Sequence, residues 1–170
     1  HFPANEQHPT VPQSPYGVAK RAVELYLEYY RQVHGLRYVV LRYANVYGPR
    51  QDPEGEAGVV AIFCGRVLHG QRLFIYGTGE QTRDYVYVGD VARANLLALN
   101  YLTRLVESVE SVESIQCASE SRLAPNTSRT QKLNNGPVFN IGTGVETSVN
   151  ALAAMLQGRT KTSLFVGPYL

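Results

Sequence analysis

Apolar residues fall into short blocks along the chain, separated by glycine, proline and polar residues. The blocks with helical character and their stop signals predict four helices, at 16–34, 59–69, 91–105 and 148–156. The blocks rich in β-branched and aromatic residues predict five strands, at 37–43, 73–76, 85–88, 138–141 and 163–166. The segment between the first of these strands and residue 58 is expected to be a loop. Helices that alternate with strands predict an α/β fold.

The first predicted helix has a clear start, a clear end and a distinct face. Ser14 before Pro15 is a good N-cap, and Gly35 is a good residue to end the helix. Five residues at spacings of four, three, four and three share one side: Tyr16, Lys20, Val23, Leu27 and Tyr30. We expect this mostly apolar stripe to turn towards the protein. In the same way, Asp90 is expected to cap the third helix.

Residues 106–135 interrupt the alternation of helices and strands. The segment opens with Val-Glu-Ser three times in tandem and continues with mostly polar residues. A period of three matches neither a helix face nor a strand face. The composition predicts either a disordered insertion or an extension of the preceding helix, with no chemistry of its own.

Charge and cysteine content argue against several classes of function. The formal net charge of +2 predicts no strong attraction to nucleic acid or to a membrane surface. The longest apolar stretch, 57–64, is far shorter than the ~20 residues that cross a bilayer. Cys64 and Cys117 are distant in sequence and the histidines are scattered, so no disulfide framework and no metal site are expected. Two free thiols favour the cytoplasm.

Tyr16 and Lys20 form the first motif with possible chemistry. At positions i and i+4 of a helix, a phenol and an ammonium lie on the same side. A neighbouring ammonium stabilises a phenolate, and such a tyrosine can exchange a proton with a sugar or alcohol hydroxyl. The alternative is a surface lysine beside a packed tyrosine. Lys20 lies within the apolar stripe, which favours the functional interpretation.

Four motifs in a fixed order extend this pattern: SPYGVAK at 14–20, LRYANVYGPR at 41–50, QTRDYVYV at 81–88 and NIGTG at 140–144. Together they closely resemble the extended short-chain dehydrogenase/reductase family, most of all its nucleotide-sugar epimerases of the UDP-glucose 4-epimerase type. The resemblance implies the rear part of a Rossmann-type doubly wound sheet in 1–50 and a substrate-binding region in 51–105. It also implies a partial C-terminal substrate region in 136–170, after the 106–135 insertion.

The resemblance implies a role for each matched position on the cofactor side. Tyr16 would transfer the proton, and Lys20 would hydrogen-bond the nicotinamide ribose of NAD. Tyr43 and Val46 would lie beside the nicotinamide. The implied reaction is transient oxidation of the sugar at C4, with hydride passing to bound NAD and returning to the other face.

On the substrate side, the resemblance implies a nucleotide-sugar ligand. Asn45 would reach its diphosphate, and Gly58 and Val59 would begin a helix whose N–H groups suit an anion. Arg83 would clamp the diphosphate with its planar guanidinium, and Tyr76 would lie against the uracil. The alternatives are a solvated loop charge for Arg83 and a core aromatic at a strand end for Tyr76.

Residues 142–147 imitate a dinucleotide-binding loop because they lie between a predicted strand and a predicted helix. The third glycine is replaced by Thr147, and no acidic residue follows about twenty positions later. We interpret this segment as a turn with a helix cap. The sequence contains no G-x-x-G-x-x-G motif, so we expect the 170 residues alone to be inactive.

Two other functions stay open at this point. The family's dTDP-glucose 4,6-dehydratases and UDP-glucuronate decarboxylases share most of the motifs. A different class would be a catalytically inactive fragment that acts only in binding or dimerisation. The resemblance implies a homodimer through the 16–34 helix, and Tyr26, Tyr29 and Tyr30 would suit such an interface.

Overall fold

The structure is a computed structural model that describes residues 4–54, 58–119, 136–158 and 164–167, with only the backbone given for 106–119 and 164–167. The helices are α1 Pro15–His34, α2 Val59–Leu68, α3 Val88–Ser119 and α4 Val149–Gln157. The strands are β1 Val40–Tyr43, β2 Asn45–Tyr47, β3 Leu73–Tyr76, β4 Thr82–Arg83, β5 Tyr85–Tyr87, β6 Val138–Ile141, β7 Thr147–Ser148 and β8 Leu164–Gly167. The predicted α/β class is confirmed.

The chain divides into two compact units. The first comprises His1–Asn5, Arg42–Arg93 and Asn140–Leu170, and the second comprises Glu6–Leu41 and Ala94–Phe139. Each unit is therefore assembled from separate stretches of sequence. The boundaries expected from the sequence at 50, 105 and 135 stay predictions.

The first unit is built around a small apolar core between α2, β3 and α4. Along β3, buried Leu73 and Ile75 alternate with exposed Phe74 and Tyr76. Successive side chains of a strand point to opposite faces, so this alternation shows that one face of β3 is covered and the other is not. The buried core residues are Phe63, Leu73, Ile75, Val149 and Ala153. Burying each large aliphatic or aromatic side chain contributes roughly 1.5–3 kcal/mol.

Strand pairing in the first unit joins segments that are far apart in sequence. β2 pairs with β5 and β3 pairs with β8, both in parallel, whereas β4 pairs with β7 in antiparallel fashion. β1 pairs with β6. Parallel pairs need long crossover connections, which the intervening helices supply.

The second unit contains α1, whose ends agree with the prediction. Ser14 Oγ accepts a hydrogen bond of 3.1 Å from the backbone N–H of Gly17, Pro15 opens the helix, and Gly35 ends it with φ of 67°. This positive φ suits glycine because it has no Cβ. Gly35 then donates its N–H to the carbonyl of Arg31.

The expected orientation of the apolar stripe on α1 is wrong. Among the described residues no α1 side chain is fully buried, and Tyr16, Val23 and Tyr30 are exposed. The half-buried side of the helix instead carries ion pairs of Arg21 with Glu24 and of Arg31 with Glu28. Paired charges tolerate partial burial. Of the five residues of the stripe, Leu27 is half-buried and the other four are exposed.

Other differences from the predicted elements are local. Residues 45–47, expected to be a loop, form β2, because they pair with β5. α3 begins at Val88, so Asp90 is not its cap but lies in the first turn, where a carboxylate suits the positive end of the helix. The helix continues through the Val-Glu-Ser repeats to Ser119, and residues 120–135 lie outside the described part of the chain.

Candidate functional site

Strand pairing brings Asn45 and Arg83 to neighbouring backbone positions. Asn45 lies opposite Tyr85 in the β2–β5 register, and its N–H donates to the carbonyl of Asp84 at 2.9 Å. Arg83 immediately precedes Asp84 and lies opposite Thr147 in the β4–β7 pair. Two predicted diphosphate ligands thus lie on adjacent segments of the first unit.

Arg83 has an exposed guanidinium. Its Nη1 atom donates to the carbonyl of Thr82 at 2.9 Å, and the described residues hold no carboxylate within ion-pair distance of it. Arg83 is therefore a strand residue, not a loop charge, and its cation is not neutralised by a neighbouring acid. Such a cation can accept an anionic ligand without first breaking an ion pair.

Asp84 holds the turn at residues 142–144 through several short hydrogen bonds. The hydroxyl of Thr143 donates to Oδ1 at 2.6 Å, the N–H of Thr143 lies 3.0 Å from both oxygens, and the N–H of Gly144 donates to Oδ2 at 2.9 Å. Burial alone would raise the pKa of Asp84, but these hydrogen bonds outweigh burial and lower the pKa below its usual value. The carboxylate is therefore kept ionised as an acceptor.

The start of α2 is tied to β2 through one side chain. Gln51 donates from Nε2 to the carbonyl of Val46 at 3.4 Å, and a Cβ on Gly58 would lie 3.2 Å from the same nitrogen. Gly58 is the N-cap of α2 without a side-chain cap, so the helix begins at Val59 with uncapped N–H groups. This end of the helix is electrostatically suited to an anion.

A cavity of about 840 Å³ lies between residues 47–53, α2 and α4. Its polar lining residues include Arg50, Gln51 and Tyr85. Arg50 has φ of 72°, a left-handed conformation that is uncommon for a residue with a side chain.

The hydroxyl of Tyr85 is buried and has no hydrogen-bond partner among the described residues. Burial raises the pKa of Tyr85, and the positive charge of Arg83 partly offsets that effect.

A second cavity of about 410 Å³ contains Tyr43, the residue that the family resemblance puts beside the nicotinamide. Asp84, Asn140 and Gly142 also line it. Asn140 donates from Nδ2 to the carbonyl of Ala4 at 2.9 Å. Val46, the other predicted nicotinamide neighbour, is half-buried in β2.

Tyr76 lies at the end of β3, before the turn at 77–79. Its side chain is 50% exposed, so the alternative of a core aromatic is wrong. Asn150 fixes the turn that follows by donating from Nδ2 to the carbonyl of Thr78 at 2.9 Å and to Oε1 of Glu80 at 2.7 Å. An exposed aromatic ring on a fixed strand end is available for stacking on a base.

Tyr16 and Lys20 belong to the second unit and lie on the same side of α1. The Nζ atom of Lys20 is 5.1 Å from the centroid of the Tyr16 ring. Both side chains are exposed, with Tyr16 at 73%. The two groups therefore lie on the same side of the helix, as the spacing predicts. This side is exposed, so the expected place of Lys20 in an inward-facing stripe, which favoured a function for it, is wrong.

Metal ligands and membrane spans are considered for the described part of the chain: residues 4–54, 58–119, 136–158 and 164–167. None of the groups of His, Cys, Asp and Glu in that part of the chain could hold a metal ion. No helix there combines the length and the apolar character that a membrane span requires.

The sequence interpretation missed Asp84, Gln51 and Thr143. Asp84 follows Arg83 directly, and nothing in the local pattern indicates that its partner lies 59 residues away in the 142–144 turn. The available signal was Gly142, because a Cβ at this position would collide with the Asp84 carboxylate. A glycine without a positive φ indicates that another group approaches the backbone closely.

The chain is similar to known nucleotide-sugar enzymes. It is 39% identical to a UDP-glucose 4-epimerase of Mycolicibacterium smegmatis over 157 residues, 92% of this chain and 40% of the relative. It also resembles the crystal structure of Thermotoga maritima UDP-glucose 4-epimerase with UDP-glucose, with a TM-score of 0.75, 44% identity, and coverage of 100% of this chain and 45% of the other. For the Thermus thermophilus UDP-glucose 4-epimerase complex with NAD, the TM-score is 0.71 at 38% identity, over 98% and 45% of the two chains.

The chain spans about two fifths of the length of the curated relatives it matches. The profile of one protein family, described as the NAD dependent epimerase/dehydratase family, matches residues 1–109, which is more than half of the chain. The motifs at 14–20, 41–50 and 81–88 all lie within this range. The chain belongs to the NAD dependent epimerase/dehydratase family.

Proposed function

We propose that the protein is an NAD-dependent nucleotide-sugar 4-epimerase and that this chain carries part of its active site. The observation that carries the proposal is the contact of 5.1 Å between Lys20 Nζ and the exposed Tyr16 ring. Similarity to UDP-glucose 4-epimerases over most of the chain supports the same function. The proposed substrate is a UDP-hexose, acted on in the cytoplasm.

In this proposal Tyr16 exchanges the proton of the sugar 4-hydroxyl. Lys20 Nζ lies over the Tyr16 ring, and a positioned proton acceptor typically accelerates such a step by ~10²–10⁴. Lys20 has further N–H donors that can hold a ribose hydroxyl. NAD, when bound, supplies the acceptor and donor of hydride.

We assign only the nicotinamide end of NAD to residues of this chain. Tyr16 and Lys20 offer hydrogen-bonding groups on an exposed helix side, and Tyr43 lines a cavity. Together with Val46 we assign them to the nicotinamide and its ribose. The sequence offers no glycine-rich fingerprint for the pyrophosphate, so we assign no residue here to that part of the cofactor.

We assign the substrate diphosphate to Arg83, Asn45 and the start of α2 at Gly58 and Val59. The support is the exposed, unneutralised guanidinium, the backbone proximity of Asn45 and the uncapped helix end. Tyr76, half exposed at its strand end, is assigned to the uracil. Each of these groups matches the charge or the aromatic surface of a nucleoside diphosphate.

A second function, dimerisation, is supported by the exposed aromatic side of α1. Tyr26 is 66% exposed, and Tyr29 and Tyr30 are also exposed. Aromatic residues are enriched in protein interfaces. We propose that α1 packs against α1 of a second copy, in an active enzyme or, as the alternative, in an assembly without activity.

The test is an assay of the complete protein with UDP-galactose, UDP-glucuronate and dTDP-glucose in separate reactions. We expect interconversion of UDP-galactose and UDP-glucose, about 10²–10⁴-fold slower in Tyr16→Phe, and unchanged in the control Tyr101→Phe, which alters an exposed tyrosine of α3. Dehydration of dTDP-glucose or decarboxylation of UDP-glucuronate would assign another member of the family. Absence of all three activities in a folded dimer would favour the inactive alternative.

A further inference from the structure

Asp84 occupies a central place in the first unit that none of the roles above uses. It follows Arg83 at the end of β4 and precedes Tyr85 at the start of β5. Its carbonyl accepts the N–H of Asn45 at 2.9 Å. The backbone of Asp84 is therefore bonded to the backbones of both residues whose side chains are assigned to the diphosphate: to Arg83 by the peptide link and to Asn45 by a hydrogen bond.

The side chain of Asp84 points to a third segment and not to its basic neighbour. All its described hydrogen bonds come from Thr143 and Gly144. Successive side chains along extended backbone point to opposite sides, which is consistent with a carboxylate that faces away from its neighbour Arg83. Here the acceptor positions of Asp84 are occupied by the turn, so the charge of Arg83 is left for a ligand.

The 142–144 turn is also fixed to the strand that leads into Asn45. The N–H of Ala44 donates to the carbonyl of Ile141 at 2.9 Å. Gly142 has no room for a Cβ, which would meet the Asp84 carboxylate and, at 3.2 Å, the Cβ of Ala44. The turn thus lies close against both the segment of Arg83 and the segment of Asn45.

We propose that Asp84 is a positioning residue for the diphosphate site. Its carboxylate clamps the 142–144 turn, which holds the Arg83 and Asn45 segments together and keeps the Arg83 guanidinium unneutralised. This inference rests on the proposed function of Arg83 as a phosphate ligand. An asparagine at this position has nearly the same shape, but its amide nitrogen is a donor and cannot accept the N–H groups of the turn.

The test measures UDP binding to the complete protein by calorimetry. We expect Asp84→Asn to weaken UDP binding by about tenfold or more. Thr143→Val removes the 2.6 Å hydroxyl bond to Asp84 and the 3.2 Å bond from the Val145 N–H to the same hydroxyl, and we expect it to weaken binding by about threefold. The matched control is Glu146→Gln, which alters an exposed carboxylate bonded to the Thr82 hydroxyl in the same strand pair. This control should bind UDP like the wild type.

A double-mutant cycle separates positioning from a general loss of structure. If Asp84 acts through Arg83, Asp84→Asn should cost less than about twofold in UDP affinity in an Arg83→Ala background. Independent, multiplicative losses would overturn the proposal. If Asp84→Asn does not fold, unchanged UDP affinity in Thr143→Val overturns it instead.

The outcomes also distinguish the inference from the function on which it rests. Suppose that the wild type binds UDP, Arg83→Ala does not, and Asp84→Asn still does. This result would overturn the role of Asp84 alone. No UDP binding by the wild type would overturn the proposed substrate class, and the role of Asp84 together with it.

Discussion

The hydroxyl of Tyr38 donates a hydrogen bond of 2.9 Å to Oε2 of Glu28, ten residues earlier in the chain. Glu28 also accepts two bonds from Arg31, at 2.7 and 2.9 Å, and one from Gln32 at 2.7 Å. The backbone N–H of Gly136 in turn donates to the Tyr38 oxygen at 3.2 Å. One carboxylate therefore links α1 to the segments that lead into β1 and β6.

This network predicts a pH dependence of stability. Hydrogen bonds from Arg31, then from Gln32 and Tyr38, lower the pKa of Glu28 from 4.5 to about 2, against the opposing effect of burial. A lowered pKa in the folded state means a stabilisation that is present above about pH 4.5 and is lost as the pH falls towards 2. Glu28→Gln should lower the thermal midpoint at pH 7 and flatten its fall in this range.

The measurement is thermal unfolding followed by circular dichroism between pH 7 and pH 2.5. Tyr38→Phe removes one donor but keeps the carboxylate, so it should retain more of the pH dependence than Glu28→Gln. An identical slope in the wild type and in Glu28→Gln would assign the acid sensitivity to other carboxylates.

The ends of α1 could be predicted from the sequence, but the direction of its apolar stripe could not. Ser14 and Gly35 predict the ends of α1 correctly, because capping depends on residues within one turn. The half-buried side of the helix carries Glu28, which accepts a hydrogen bond from Tyr38, and no periodicity encodes this contact. Asp84 was missed for the same reason, since its partner Thr143 is distant in sequence.

Short strands are the second place where sequence patterns were insufficient. β2 has only three residues and is followed by Gly48 and Pro49, which indicate a loop. It is a strand because β5 supplies a parallel partner in register. The positions of Asn45 and Arg83 on adjacent segments follow from this pairing, so the geometry of the candidate site is a property of the tertiary structure.

Arg83 provides a direct test of the substrate class. Arg83→Ala should weaken binding of UDP to the complete protein by ~1.5–3 kcal/mol if one charged hydrogen-bonded contact is lost. Arg83→Lys keeps the charge but loses the planar fork, so it should weaken binding less. The loss should be equal for UDP and for a UDP-sugar, because the contact is made to phosphate. Arg72→Ala, which removes another exposed arginine of the same unit, is the control. Equal UDP affinity in Arg83→Ala and the wild type would return Arg83 to a solvated surface charge.

Tyr85 and Tyr38 allow a comparison of a hydroxyl without a hydrogen-bond partner and a hydroxyl with one, in terms of the free energy of unfolding. The Tyr85 hydroxyl is buried with no partner among the described residues, whereas the Tyr38 hydroxyl is bonded to Glu28. Tyr85→Phe should therefore keep the free energy of unfolding or raise it by up to ~1 kcal/mol, and Tyr38→Phe should lower it by ~1 kcal/mol. Urea unfolding at pH 7 compares the two variants. A loss in Tyr85→Phe as large as in Tyr38→Phe would show that its hydroxyl has a bonding partner.

The last prediction concerns NAD and the 142–147 segment. A dinucleotide loop binds pyrophosphate through free backbone N–H groups at the start of a helix. In this chain the N–H groups of Thr143 and Gly144 already donate to the Asp84 carboxylate. A second anion at the same turn would be repelled by that carboxylate. The segment is therefore unsuited to the pyrophosphate, as the replacement of its third glycine by Thr147 also indicates.

We therefore expect no stoichiometric NAD binding and no epimerase activity from the 170 residues alone, because Tyr16, Lys20, Tyr43 and Val46 would hold only the nicotinamide end. Calorimetric titration of NAD into this chain, with the complete protein titrated in parallel, tests the expectation. Binding in the micromolar range by the chain itself would contradict it. Asp84→Asn would then identify the loop: if the 142–144 turn held the pyrophosphate, removing the carboxylate charge would strengthen NAD binding, whereas a site elsewhere would leave the affinity unchanged.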